Sequence, residues 1–126
     1  MRPRLHGPVY LFATLPEGRE LPQGMRPILR FHETEGLTVV VEYEAAAAAG
    51  LAGVFPCRMI TLEVQSALDA VGFLAAVTAC LAAEGIAVNP VAAFHHDHLF
   101  VPRDRAEQAM RALRDLAARH AQEATP

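Results

Sequence analysis

The side chains best able to do chemistry are crowded into one short run, His95-His96-Asp97-His98. Three imidazoles and a carboxylate in four positions suggest a metal site, which needs such donors to converge on one point. The run joins two strand-like stretches, Ile86–Phe94 and Leu99–Pro102, so it also reads as the tip of a hairpin. Side chains alternate between faces along an extended segment, so His96 and His98 share one face while His95 and Asp97 take the other. Two donors on a face do not make a site: structural zinc takes four, and catalytic zinc takes three plus water. Any third ligand has to come from His6, His32 or His120, none of which stands in a supporting motif. Asp97 has a plainer role as a turn residue, since Asp bonds to its own nearby backbone. The histidines are then left to meet solvent, a small molecule or a partner chain.

Other catalytic constellations are thin. Cys57 and Cys80 sit in strand and helix contexts with no adjacent base, and they read as reduced core thiols rather than a disulfide. Glu33 and Glu35 flank a turn, and Gly50 and Gly53 have no following Lys to make a phosphate loop. No enzyme activity and no cofactor are expected. Ser66-Ala67-Leu68-Asp69 has the form of a capping box at a helix start. The N–H groups of such a turn can hold a carboxylate. With Asn89, and Asp97 from a neighbouring unit, they would satisfy both ends of a free amino acid. The alternative is an ordinary capped helix with an exposed Asn.

Composition narrows the field. A chain of 126 residues builds one compact domain or two small ones sharing a core. Hydrophobic residues at 52% and charged residues at 20% fit a globular protein. The formal charge of −3 gives no reason to expect nucleic acid, which needs a clustered positive surface. The apolar run Val9–Leu15 is too short for a signal peptide or a membrane span, so no membrane partner and a cytoplasmic location are expected.

The elements that must position these residues follow from periodicity. Arg2–Gly7 reads as a frayed polar entry, and Val9–Leu15 as a strand buried on both faces. Residues 16–27 are a Pro- and Gly-rich loop. Ile28–His32 and Leu37–Tyr43 are strands, and the five alanines before Gly50 make a short helix. Ala52–Pro56 is the seam between the halves. Arg58–Val64 alternates, with Ile60, Leu62 and Val64 turned to the core. A helix from Ser66 to about Glu84 carries an apolar stripe of Leu68, Val71, Leu74, Ala75, Thr78 and Leu81. The hairpin follows, and a second helix opens at Asp104–Glu107 and runs through Ala109, Met110, Leu113 and Leu116 to about Arg119. The second half is thus β-α-β-β-α, the split βαβ pattern short of its last strand. An unpaired sheet edge is usually covered, and the strand Val9–Leu15 is expected to supply it across the halves.

On these residues the chain resembles the small bacterial proteins built of two ACT-type domains, whose second domain is related to the ACT modules of aspartate kinases and of eukaryotic arginine sensors. The first half carries Tyr10–Thr14 and Phe31–Val40 with its Glu35-Gly36-Leu37-Thr38. The second carries Ile60-Thr61-Leu62, Ser66–Gly72, Gly85-Ile86 with Asn89, and His95–Pro102. The resemblance spans nearly the whole chain. It implies an α+β protein of two ferredoxin-like units, an abbreviated one over 1–53 and a second over 54–120, with a tail at 121–126. It also implies self-association into a homo-oligomer and the binding of a small molecule, often an amino acid, in place of catalysis. The implied ligand site is the turn Val64–Asp69, hence Gln65, Ser66, Ala67, Leu68 and Asp69, with Asn89 across from it. His96 and Asp97 of the hairpin are further contacts. Where a fuller first domain has a helix, this chain has a short Pro-rich N-terminus. Competing readings are an interaction module that has lost its ligand, and then a metal-binding protein.

Overall fold

The structure, a computed structural model, describes residues 1–64 and 71–123. Strands β1 (Arg2–Leu15), β2 (Leu29–Glu33) and β3 (Gly36–Glu42) lead into the short helix α1 (Tyr43–Ala49). Strand β4 (Val54–Glu63), helix α2 (Phe73–Ala83), strands β5 (Asn89–Ala92) and β6 (Asp97–Pro102) and helix α3 (Ala106–Glu123) follow. The chain divides into two compact units, Pro8–Cys57 and Met1–Gly7 with Arg58–Pro126. Both β1 and β4 therefore contribute to each unit.

In the unit of residues 8–57, β3 lies between β2 and β1 and is antiparallel to both, from Tyr10↔Glu42 to Leu15↔Leu37 and from Leu29↔Val40 to Glu33↔Gly36. The run Val39-Val40-Val41 suits a central strand because branched side chains pack well on a pleated surface, and all three are fully buried. Gly36 is required at the β2–β3 turn: its φ is 154°, and a Cβ there would lie 2.7 Å from the Leu15 carbonyl oxygen. Helix α1 sets Ala46 against Leu11, Ala13, Val39 and Val41 and ends, as the sequence predicts, at Gly50 in the left-handed conformation (φ 68°). Ala52–Pro56, expected as a seam, is the entry to β4. There Phe55 holds φ 60°, a strained value for an aromatic residue, and its ring meets that of Phe12 edge-on at 6.0 Å.

In the unit of residues 1–7 and 58–126, the strand order is β1-β4-β6-β5. One sheet face carries Ile60, Leu62, Leu99 and Val101, which pack with Val77 and Leu81 of α2 and with Ala109, Met110 and Leu113 of α3. Burying each large side chain is worth about 1.5–3 kcal/mol, so this cluster dominates the unit. The missing strand of the βαββα pattern is supplied by the N-terminus, but by different residues from those expected. Arg2–Gly7 is ordered strand with Leu5 packed against the core, whereas Tyr10–Leu15 pairs with β3.

Three further boundaries differ from expectation. Helix α2 opens at Phe73 behind Gly72 (φ 93°), well after Ser66; the expected capping box at Ser66–Asp69 lies outside the described residues. Val71, expected on the apolar stripe, precedes the helix and is 98% exposed, and Val77 replaces Ala75 and Thr78 as the core contact. Helix α3 continues to Glu123, past the expected end near Arg119, and is entered through a 3-10 turn at Arg103–Arg105.

Candidate functional site

Antiparallel register fixes the hairpin: Asn89 opposes Phe100, Val91 opposes His98, and Ala92 opposes Asp97. The tip is therefore residues 93–96, closed by the Ala93 N–H donating to the His96 carbonyl at 3.1 Å. Asp97 is not a turn residue. It is the first residue of β6 and only 8% exposed. Alternation along β6 sets it on the face of Leu99 and Val101, the face covered by α2 and α3, while His96 and His98 lie on the other.

Contacts with β4 locate the tip in the unit. His96 Nδ1 is 3.4 Å from the Val64 carbonyl oxygen, and His98 Nδ1 is 2.9 Å from Thr61 Oγ1. The tip thus sits at the C-terminal end of β4, where the chain leaves for α2. A cavity of about 440 Å³ lies at the start of α2, lined by Met1, Val64, Val71, Gly72, Phe73 and Ala76 and reaching Leu116 and His120 of α3. Its walls are chiefly apolar, so it suits a ligand with an apolar body.

The expected site residues divide into three groups. Gln65, Ser66, Ala67, Leu68 and Asp69 lie outside the described residues. His96 lies beside Val64, with Asp97 next to it in sequence but turned to the opposite face. Asn89 lies apart: it is exposed, and the register puts it at the far end of the β5–β6 ladder from Asp97, roughly 10 Å along the strand at 3.3 Å per residue. The sequence reading placed it beside the β4–α2 turn, yet β5 begins at the opposite end of the sheet.

Two residues outside the expected ligand site complete the polar face. Thr61, with Asp97 one of two buried polar residues among those described, bonds His98 on one side. On the other, its hydroxyl is 2.8 Å from His6 Nε2. Burial depresses both imidazole pKa values. Arg4 pushes His6 lower still and Glu63 opposes that; His96 and His6 lower His98, and Asp97 opposes. The face alternation of β4 (Met59, Thr61, Glu63) carried a signal for Thr61. For His6, in a polar stretch, the sequence offers only a third metal ligand with no supporting motif. Among the described residues no group of three or more His, Cys, Asp or Glu is arranged to hold a metal ion.

Comparison with known proteins identifies the class. Residues 1–58 match an ACT domain model and residues 54–115 match a second, and the chain belongs to the ACT-domain family as a tandem pair. It is 40% identical to a protein of unknown function from Vibrio cholerae described as a possible transport protein, with 92% of this chain and 89% of that one covered and a TM-score of 0.83. A protein from Agrobacterium tumefaciens shares the fold at 19% identity and a TM-score of 0.75, over 90% of this chain and 87% of that one. No curated protein matches the chain. ACT domains are regulatory modules that bind small molecules and commonly form oligomers. No described helix is long and apolar enough to cross a membrane.

Proposed function

We propose that this chain is a cytoplasmic regulatory protein without catalytic activity that binds a small molecule, an amino acid, where β4 leads into α2. Asp97 carries the reading. A carboxylate only 8% exposed at the first residue of β6, next in sequence to the His96 that meets the end of β4, is a suitable partner for a ligand ammonium. The apolar cavity bounded by Val64, Gly72 and Phe73 takes the ligand's carbon skeleton, and Gln65, Ser66, Ala67, Leu68 and Asp69 are the residues we assign to its carboxylate. His96 is a secondary contact, and Asn89 has no part.

A thermal-shift screen of the twenty amino acids, run with zinc and with EDTA, tests this. A ligand at a hundredfold excess over Kd stabilises by about 2.7 kcal/mol, a readily measured rise in Tm. Asp97→Asn removes the charge at constant volume, and the expected result is an unliganded Tm close to wild type with the ligand shift lost. A chain that responds to no amino acid is better read as an interaction module, for which the exposed Phe31 on β2 is the favouring feature. A response to zinc alone, removed by replacing His96 and His98, makes it a metal-binding protein.

A further inference from the structure

His6, Thr61 and His98 sit on three neighbouring strands of one unit and form a continuous imidazole–hydroxyl–imidazole chain, with separations of 2.8 Å and 2.9 Å. A threonine hydroxyl has one hydrogen to give. With both rings neutral, one donates to Thr61 and Thr61 donates to the other. With one ring protonated the chain still closes, since the imidazolium donates to Thr61 and Thr61 donates to the neutral ring. With two imidazolium rings there is no acceptor nitrogen left for the Thr61 hydrogen, and two cations meet at one oxygen.

We infer that His6–Thr61–His98 is an acid-released clip that fastens the N-terminal strand Arg2–Gly7 to β4 near neutral pH and loosens it when both rings are charged. The surroundings favour this response. From β1, Arg4 adds positive charge beside His6; from β4, Glu63 offsets it, although Glu63 also faces Arg2 at 3.8 Å, and the Arg58 guanidinium donates to the His6 carbonyl. From β6 and its hairpin, His96 opposes the charging of His98 and Asp97 favours it, while β5 faces His98 with the apolar Val91. Apart from the clip, the strand is held by its pairing with β4, by the Arg58 hydrogen bonds to the His6 carbonyl, and by Met1 and Leu5 as its packed hydrophobic residues.

The sign follows from linkage. Both histidines have lowered pKa values in the folded chain, so the unfolded chain binds more protons below the ordinary imidazole value of about 6.5. The stabilisation is complete above that value and is lost as pH falls from it toward the folded values. Hydrogen exchange of the whole chain, expressed as protection corrected for the intrinsic rate, reads the clip directly. Between pH 7.5 and 5.5, protection over residues 2–7 is expected to fall at least tenfold relative to α3. Thr61→Val, which keeps shape and burial without the hydroxyl, should show a clearly smaller pH-dependent fall. His6→Gln, which can bond Thr61 but does not titrate, should likewise show a reduced fall across this range and serves if the valine variant does not fold. A wild-type profile as flat as that of α3, or an undiminished fall in His6→Gln, overturns the inference.

Discussion

Cys57 shows how position decides reactivity at the residue scale. Its thiol is fully buried, donates toward the Tyr10 carbonyl at 3.5 Å, and has its pKa raised to about 12 by burial. Thiolate is the reactive species, so native Cys57 should be alkylated by iodoacetamide at pH 8 about a hundredfold or more slowly than after unfolding in urea, as peptide mass spectrometry would show. This residue was legible in the sequence, where its apolar context argued for an inert core thiol. Asp97 was legible only by type. The sequence identified a carboxylate at a hairpin, but whether it lay in the turn or in the strand depended on a register that hairpin residues without a strong turn dipeptide do not determine.

Among the elements, those with a strong local pattern were the legible ones. Leu37–Tyr43 and the alanine helix ending at Gly50 match the expected elements to within a residue or two, and the α3 stripe of Ala109, Met110 and Leu113 is buried as expected although that helix runs on to Glu123. The failures have physical causes. Arg2–Gly7 is half exposed and polar because it is an outer part of its unit, and such a strand shows little apolar signal. The start of α2 was misjudged because Ser66–Asp69 has the form of a cap, while Gly72 carries the left-handed turn that opens the helix. The entry to β4 was hidden by Gly53, which looks like a loop residue. Its role is close approach: a Cβ there would lie 2.5 Å from the Phe12 carbonyl oxygen and 2.7 Å from the Leu11 side chain. Gly53→Ala should therefore destabilise the protein by about 1–3 kcal/mol, checked by urea unfolding, with an unchanged m-value if the native state keeps its compactness.

For the whole molecule, the sequence revealed two ferredoxin-like units and their family, but not how the chain is shared between them. Periodicity reports local faces, whereas the assignment of residues 1–7 to the unit of residues 58–126 depends on contacts more than fifty positions apart, such as His6 with Thr61. This assignment predicts that a 58–126 fragment, with its β4 edge open, will self-associate in size-exclusion chromatography, and that a peptide of residues 1–15 will restore the monomeric fragment. It also orders events during synthesis. The unit of residues 8–57 is one uninterrupted run, complete once Cys57 has left the ribosome. Residues 1–7 are made before that run, yet the strand they lie against within their own unit, β4 from Arg58 onward, is made only after it. Residues 2–7 must therefore wait, unpaired, while the whole of the other unit is synthesised, and they find their strand partner only when β4 follows it.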